Sequence, residues 1–335
     1  MGPPASASVT ASAGSVAAAA SAAGSTTTSA TACAGEGASG LRTRPDLATV
    51  AELLKPITWF PPMWAFACGV VASGASILEH WPLALLGVLL AGPLVCAASQ
   101  AVNDWFDRHV DAINQPERAI PSGRMPGRWG LYIAILWTLL SLMVASLLGP
   151  VGFAAGALGL LLAWAYSAPP IRLKENGWLG NAACGLSYEG LAWVTGGAVM
   201  VAGALPDVRS IVLAALYSLG AHGIMTLNDF KSIEGDRQMG VRSLPVQLGV
   251  SRAAHVASWM MALPQVVVIG LLVHWDKPLH AAAVGTLLLG QVLMMRWFVA
   301  DPLKRALYYS GFGVPIFVSG MMVSAFAVRS LVGTV

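Results

Sequence analysis

Two acidic segments of similar sequence follow long apolar stretches in a chain that otherwise carries few charges. The first acidic segment reads Asn103-Asp104-Trp105-Phe106-Asp107-Arg108-His109-Val110-Asp111, and the second reads Asn228-Asp229-Phe230-Lys231-Ser232-Ile233-Glu234-Gly235-Asp236. Only 10% of the residues are charged, so clustered carboxylates at the ends of apolar stretches indicate a function. Carboxylates beside a bilayer are suited to holding Mg²⁺ against a diphosphate. The two segments therefore predict a metal-dependent enzyme that acts on a lipid diphosphate.

The spacing of the carboxylates predicts one acidic helix face in each segment, provided that the helix continues through it. Positions i, i+3 and i+7 share a face. They hold Asp104, Asp107 and Asp111 in the first segment and Asp229, Ser232 and Asp236 in the second. Glu234 points elsewhere unless Gly235 breaks the helix, so it ranks below the others. The predicted catalytic residues and metal ligands are Asp104, Asp107, Asp111, Asp229 and Asp236.

Basic and amide side chains near both segments are candidate partners of the diphosphate. Arg binds phosphate bidentately, whereas Lys acts as a point charge. The candidates are Asn103, Arg118, Arg172, Lys174, Asn228, Lys231 and Arg237. Membrane topology also places basic residues in such loops, so each of them has an alternative explanation.

Six side chains within the apolar stretches are candidates for the wall of a cavity. They are Trp59, Trp64, Tyr166, Tyr188, Glu189 and His222. A lone carboxylate such as Glu189 is costly in a membrane and is expected to face a cavity, with a protonated structural role as the alternative. For His222, the alternative to a place in the cavity wall is a packed position within the helix bundle. Aromatic residues such as Trp59 and Trp64 are common at membrane interfaces in any case.

Apolar stretches long enough to cross a bilayer, about 20 residues each, recur along most of the chain. Hydrophobic residues make up 56% of the sequence, far more than in a soluble domain. The nine predicted spans begin near Pro56, Pro82, Gly130, Val151, Leu179, Ser210, Ala253, His280 and Ser310. The sequence thus predicts an all-α, polytopic membrane protein with about nine transmembrane helices in a bundle around a cytoplasm-facing cavity.

The distribution of basic residues tests this topology independently. With a cytoplasmic N-terminus, the loops on that side hold 15 Lys and Arg against 3 on the other, a clear positive-inside asymmetry. Both acidic segments are then cytoplasmic. The net charge of +3 follows from this topology and gives no indication of nucleic-acid binding.

The chain divides into a tail and one predicted domain. Residues 1–45, mostly Ala, Ser, Thr and Gly, are predicted to form a disordered tail, and residues 46–335 the membrane domain. The four cysteines show no metal-site spacing. Within the domain, Arg118-Ala119-Ile120-Pro121 follows the first acidic segment as Arg242-Ser243-Leu244-Pro245 follows the second. This internal repeat predicts two equivalent helix ends facing one cavity, although repeats also build secondary transporters.

These residues resemble the intramembrane prenyltransferase superfamily (UbiA-like). Its members carry Asn-Asp-x-x-Asp-x-x-x-Asp on one helix, which residues 103–111 fit completely, and a second acidic motif on a later one. Ser232 stands where many members have Asp, and residues 231–237 are instead similar to the chlorophyll and bacteriochlorophyll synthase branch. Residues 54–59, 119–123 and 166–170 also resemble that branch, although Ala119 replaces its usual Pro; residues 59–66 resemble its bacteriochlorophyll members.

The resemblance implies esterification of the propionate of bacteriochlorophyllide with geranylgeranyl or phytyl diphosphate, with Mg²⁺ as cofactor. The metal and basic side chains promote departure of the diphosphate, and the ionised pigment carboxylate attacks without a general base. An apolar cavity shelters the allylic cation from water. The resemblance also implies a bacterial inner membrane, cytoplasmic or intracytoplasmic, and association with other pigment-pathway or photosynthetic membrane proteins.

Several alternatives remain open from the sequence. A chlorophyll synthase, or a sister prenyltransferase acting on a quinone precursor or haem, would differ in its acceptor. A secondary transporter would explain the repeat and Glu189 but not two Asn-Asp clusters at one membrane face. A silent pigment-binding scaffold would keep its function after substitution of the acidic segments.

Overall fold

The computed structural model describes residues 44–332, and the named elements in this part of the chain are all helical. The α-helices are α1 (Leu47–Leu54), α2 (Phe60–Ala72), α3 (Trp81–Leu89), α4 (Ala97–Asn114), α5 (Trp129–Ser146), α6 (Gly149–Ser167), α7 (Gly177–Gly185), α8 (Ala192–Met200), α9 (Val208–Asp229), α10 (Ile233–Gln238), α11 (Leu244–Leu248), α12 (Val250–His274), α13 (Pro278–Ala300) and α14 (Pro302–Val332). The prediction of an all-α protein is confirmed. The predicted tail of residues 1–45 lies almost wholly outside the described residues, so the proposed domain division stays a prediction.

Seven helices between residues 44 and 332 are long and apolar enough to cross a membrane. They are Trp81–Ile113, Trp129–Ser146, Gly149–Ser167, Val208–Asp229, Val250–His274, Pro278–Ala300 and Pro302–Val332. A multi-pass membrane protein is therefore confirmed. The other two predicted spans correspond to α2, which has only 13 residues, and to the interrupted pair α7 and α8. The count of nine spans stays a prediction.

Two helical rods change to π-helical geometry midway along their length. Leu90–Cys96 joins α3 to α4, and Leu186–Leu191 joins α7 to α8. Within the first, Pro93 cannot donate a backbone hydrogen bond, which favours a local departure from α geometry. Trp137 Nε1 donates to the Pro93 carbonyl at 3.0 Å and holds this segment against α5. Such π-helical turns are frequent at functional sites, and both of these border the same cavity.

Small residues allow α2 and α8 to approach each other closely. A Cβ on Gly69 would lie 1.9 Å from the Trp193 carbonyl oxygen, and one on Gly196 would lie 2.1 Å from that of Phe66. Glycine is therefore required at both contacts, as in other tightly packed membrane helices. The Trp193 ring in turn stacks on Tyr217 of α9 at 6.0 Å. These contacts fix the α7–α8 rod between α2 and α9.

The loop after α6 is fastened to the loop after the second acidic segment. Gly177 N donates to the Arg242 carbonyl at 2.8 Å, and Arg242 N donates to the Glu175 carbonyl at 3.0 Å. A Cβ on Gly177 would lie 2.6 Å from Leu244 N, so only glycine permits this approach. The loop that carries Lys174 is thereby tied to the loop that follows α10.

Candidate active site

The first acidic segment lies entirely within one helix. Because α4 runs from Ala97 to Asn114, the condition for a shared face is met and Asp104, Asp107 and Asp111 lie on it. Asp104 and Asp111 are buried, at 5% and 6% exposure. Carboxylates that are so little hydrated need compensating charge.

Cations from two loops compensate Asp104 and Asp111. Lys55 Nζ lies 2.5 Å from Asp104 Oδ1, and one Arg118 nitrogen lies 3.4 Å from the same oxygen. The same Arg118 nitrogen donates to Asp111 Oδ2 at 2.8 Å. Arg118 was a predicted diphosphate partner, whereas Lys55 was not a predicted site residue.

The loop after α6 supplies the cations beside Asp107. Lys174 Nζ forms an ion pair with Asp107 Oδ1, and an Arg172 nitrogen lies 3.7 Å from that oxygen. Asn103 Nδ2 donates a hydrogen bond to the other carboxylate oxygen, Asp107 Oδ2, at 2.9 Å. Burial lowers the pKa of Lys174 below its ordinary value, although the neighbouring Asp107 charge opposes this. The predicted residues Asn103, Arg172 and Lys174 therefore meet at one carboxylate.

Two of these cations project from strained backbone. Lys55 has φ 47° and Arg172 has φ 37°, which places both in the left-handed region. Residues with a Cβ lose about 1–2 kcal/mol in this conformation. Lys55 ends α1 there, with its N–H donating to the carbonyls of Ala51 and Glu52. Strain at both sources of charge is typical of functional sites.

The second acidic segment does not form one continuous helix, and that part of the prediction is wrong. Helix α9 ends at Asp229 and α10 begins at Ile233. Ser232 Oγ lies 3.2 Å from the Asp229 carbonyl oxygen, and such side-chain bonds compete with the helical pattern. The same hydroxyl lies 3.0 Å from Asp236 Oδ2, so the polar side chains stay together across the turn.

Neutral groups, rather than cations, accompany the carboxylates of the second segment. Asn181 Nδ2 donates to Asp229 Oδ2 at 3.0 Å and to Thr226 Oγ1 at 3.2 Å. Burial raises the pKa of Asp236, and hydrogen bonds with the Ser243 and Ser232 hydroxyls partly offset this rise. Asn181 was absent from the predicted site.

The predicted basic partners of the second segment point outward. Lys231 is exposed, and Arg237 is 62% exposed and pairs with the outward-facing Glu234 at 3.5 Å. Asn228 is half-buried at the end of α9. Glu234 therefore lies apart from the two aspartates, in line with its lower predicted rank.

The end of α6 connects the two segments. Tyr166 lies within electrostatic range of both Asp107 and Asp229. The adjacent Ser167 Oγ accepts from Asn103 Nδ2 at 3.3 Å. Both acidic segments thus lie near Tyr166, at what is here termed the acidic end of the bundle.

A cavity of about 220 Å³ begins beside Asn103 and continues between α4, α6 and the α7–α8 rod. Tyr166 and Tyr188, both predicted, line it. Its other polar wall residues include Ser99, Gln100 and Ser187, whereas the part farther from the acidic end is lined by small and aliphatic residues such as Leu90, Gly156, Gly159 and Leu191. The cavity therefore combines a polar mouth with an apolar interior.

The other four predicted wall residues lie outside the lining of this cavity. Trp59 and Trp64 donate their indole N–H groups to the carbonyls of Leu54 and Val318, both at 2.9 Å. Glu189 is buried at 4% exposure on the side of its helix that faces Cys68 of α2.

His222, the fourth, is 4% exposed on α9. Its Nε2 lies 3.2 Å from the Trp178 carbonyl oxygen, and its ring lies 5.6 Å from the Trp178 ring. It packs between α9 and α7, as its alternative interpretation proposed.

The donor set at the acidic end suits a magnesium–diphosphate complex rather than a closed protein cage. Within residues 44–332, no three His, Cys, Asp or Glu side chains form a cluster able to hold a metal ion. Mg²⁺ usually takes one or two carboxylates and completes its shell with phosphate oxygens and water. Aspartates backed by Lys and Arg match that requirement, because the cations remain available for the phosphate oxygens.

Comparison with known proteins agrees with this arrangement. The UbiA prenyltransferase family matches residues 59–312. The bacteriochlorophyll synthase 33 kDa chain of Cereibacter sphaeroides is 57% identical over 87% of this chain and 96% of its own length. The chain of the same name from Rhodobacter capsulatus is 54% identical over 86% and 95%.

The fold also matches a solved structure. A UbiA homolog from Archaeoglobus fulgidus bound to GPP and Mg²⁺ superposes with a TM-score of 0.58 at 20% identity, covering 84% of this chain and 99% of that one. The family match covers most of the sequence, including both acidic segments. The chain belongs to the UbiA prenyltransferase family.

Proposed function

We propose that this protein transfers a geranylgeranyl or phytyl group from its diphosphate to the propionate carboxylate of bacteriochlorophyllide, the last stage of bacteriochlorophyll biosynthesis. The observation that carries the proposal is the group of three aspartates and four cations at the mouth of an apolar cavity. The 57% identity to a bacteriochlorophyll synthase chain supports the choice of acceptor.

The aspartates of both segments would hold the metal, which the homolog bound to GPP and Mg²⁺ supports. They are Asp104, Asp107, Asp111, Asp229 and Asp236. Bound Mg²⁺ would neutralise the diphosphate and so make it a better leaving group. Lys55, Arg118, Arg172 and Lys174 supply further positive charge on the same side of the site, where negative charge develops as the C–O bond breaks.

The cavity would hold the prenyl chain and exclude water from the allylic carbon. Its aliphatic interior keeps water away, so an allylic cation formed at its mouth persists until the acceptor attacks. The acceptor carboxylate is already ionised at neutral pH. The reaction therefore needs no general base, and the diphosphate leaves with the electron pair of the broken bond.

We place the acidic end in the cytoplasm of a bacterial inner or intracytoplasmic photosynthetic membrane, with a cytoplasmic N-terminus. The excess of Lys and Arg at that end supports this orientation. Association with other pigment-pathway or photosynthetic membrane proteins remains a prediction of the sequence. Cysteine substitutions at the exposed residues Lys231 and Leu279, tested with a membrane-impermeant thiol reagent on intact cells, would report the side on which each end lies.

Competition between acceptors tests the proposed reaction. Detergent-purified protein receives Mg²⁺, geranylgeranyl diphosphate and equal amounts of bacteriochlorophyllide and chlorophyllide, and chromatography measures the esterified pigments. We expect preferential bacteriochlorophyll formation that is lost in Asp104→Asn. Preference for chlorophyllide would assign the chlorophyll synthase activity instead. No ester from folded protein, with phytyl diphosphate also supplied, would contradict the proposal and favour a quinone or haem acceptor.

A further inference from the structure

A glutamine and a tyrosine face each other across the polar part of the cavity. Gln100 Nε2, on α4, donates to Tyr188 Oη at 3.0 Å. Tyr188 belongs to the π-helical segment Leu186–Leu191, and both side chains line the cavity. The hydrogen bond of the Gln100 side chain goes to Tyr188 and not to a carboxylate of the acidic segments, so the metal site does not account for this pair.

Both side chains keep a hydrogen-bond donor for a ligand. An amide NH₂ carries two protons, of which Gln100 uses one on Tyr188. The phenol accepts that bond and a weak one from the Cys96 thiol at 3.5 Å, and it retains its own O–H, whose protein partner is the Ser99 hydroxyl that a ligand would replace. One N–H proton of Gln100 and the O–H proton of Tyr188 can therefore be donated to a ligand at one place in the cavity wall.

The pair lies at the depth where the allylic carbon would be. Gln100 precedes Asn103 by one helical turn, about 4.5 Å along α4, and the carboxylates of the first segment follow Asn103. A diphosphate held by those carboxylates and their cations would extend its first carbon toward Gln100. The acceptor oxygen must reach that same carbon.

The cavity wall, as far as the structure describes it, contains no charged side chain. An acceptor carboxylate entering it must rely on neutral donors, and paired donors on adjacent atoms match its two oxygens. On the basis of the function proposed above, we propose that Gln100 and Tyr188 bind the acceptor carboxylate and aim one oxygen at the allylic carbon. Tyr188 contacts the substrate, and Gln100 also positions Tyr188.

The bond changes are simple. The C–O bond of the prenyl diphosphate breaks with its electron pair leaving on diphosphate, and a carboxylate lone pair forms the new ester bond. If the carboxylate is misplaced, water attacks the same carbon instead, loses a proton to solvent and gives the prenyl alcohol. The ester product is uncharged and accepts hydrogen bonds more weakly than the carboxylate, which favours its release.

Coupling between diphosphate release and ester formation tests this assignment. Tyr188→Phe and Gln100→Leu are compared with wild type and with the control Tyr308→Phe, whose side chain is 60% exposed beside Trp297. For each variant, the KM of both substrates, the ester formed and the prenyl alcohol formed are measured per diphosphate released.

We expect the acceptor KM to rise about 10- to 100-fold in Tyr188→Phe, which corresponds to the loss of one hydrogen bond to a charged group. We expect the alcohol fraction to rise in both variants while their KM for the prenyl diphosphate stays at the wild-type value. All measured quantities should stay at wild-type values in Tyr308→Phe. This fraction is a ratio of products, so it does not depend on how much of the protein is folded, and the unchanged donor KM shows that the diphosphate site keeps its shape. An unchanged alcohol fraction, or a raised donor KM instead, would overturn the assignment. A wild-type protein that forms no ester at all would instead refute the proposed function.

Discussion

The two acidic segments begin with the same Asn-Asp pair but balance their carboxylates by different means. In the first, three aspartates on one helix face contact four Lys and Arg side chains. In the second, the Asn181 amide donates to Asp229 and the Ser232 hydroxyl donates to Asp236. The repeated sequence has therefore produced two acidic sites that differ in how their carboxylates are compensated.

The arginines that follow each segment make the difference concrete. Arg118 and Arg242 occupy matching positions of the internal repeat. Arg118 reaches Asp104 and Asp111, whereas the Arg242 side chain is exposed and its backbone joins two loops. We infer that the first segment supplies charge to the diphosphate through its cations. The second segment, with less compensation, would depend more on a bound metal ion for its stability.

Removing a single carboxylate should have the largest effect. Asp104→Asn is expected to lower turnover by about 10²- to 10³-fold, as for the loss of other preorganised charge-stabilising groups. The variant should remain folded, because asparagine has the same shape and accepts a hydrogen bond from Lys55. Initial rates at saturating substrate and thermal melting in detergent would measure both properties.

Asp301→Asn is the matched control, since Asp301 lies just before α14 and its carboxylate pairs with Lys304 rather than with a cation of the site. Asp229→Asn should cause a loss comparable to that of Asp104→Asn if both segments serve one metal–diphosphate site. Wild-type rates in either variant would show that the aspartate in question is not needed for the metal.

Substitution of the two matching arginines should distinguish the two segments by their effects on turnover. Arg118→Gln removes charge-assisted hydrogen bonds worth about 1.5–3 kcal/mol, so turnover should fall about 10- to 100-fold. Arg242→Gln should change it less than about threefold, because its backbone contacts remain and an exposed charge contributes little. Parallel kinetics of the two variants measures the ratio. Equal losses would mean that the repeat is functionally symmetric, against the structure.

Magnesium dependence should reveal the role of the neutral partner in the second segment. Asn181→Leu removes the donor to Asp229, and loss of such an orienting group typically weakens metal binding about tenfold. We expect a higher Mg²⁺ concentration for half-maximal rate with little change at saturating metal. Asn176→Leu is unsuitable as a control because Asn176 caps α7, so Gln238→Leu, on the exposed face of α10, is preferable. Identical Mg²⁺ curves would remove Asn181 from the site.

Local sequence patterns correctly predicted which side chains share a face where one helix carries all of them. The i, i+3, i+7 spacing identified the face of Asp104, Asp107 and Asp111, because α4 extends past all three. The same spacing failed in the second segment, where the Ser232 hydroxyl competes for the Asp229 carbonyl and α9 ends. Spacing alone cannot tell which of two such helices continues.

Contacts between distant segments were missed for a different reason. Lys55, Asn181 and Gln100 reach their partners across 49, 48 and 88 residues of sequence. Asn181 and Gln100 nevertheless left a signal, since an amide inside a span is costly unless it has a partner. Lys55 left none, because basic residues are common next to spans. Conversely, Glu189 and His222 showed that buried polar residues need not face the cavity.

The smallest effect is expected for a charge that lies in the same loop as Arg118 but touches no aspartate of the site. Arg124 pairs with Glu52 through both oxygens, and both side chains are 42% exposed. The hydrogen bond to Glu52 is the chief cause that raises the pKa of Arg124 above its ordinary value. Exposed pairs of this kind contribute about 0.2–1 kcal/mol and are screened by salt.

Arg124→Gln should therefore keep turnover within about twofold of wild type and lower thermal stability slightly, and the stability difference should shrink at about 1 M salt. Arg118→Gln in the same preparation is the positive control. Because the two arginines are six residues apart, a strong activity loss in Arg124→Gln would mean that the whole loop must keep its shape for catalysis. A loss confined to Arg118→Gln would instead assign the effect to direct contact with Asp104 and Asp111, the contact that the second segment lacks.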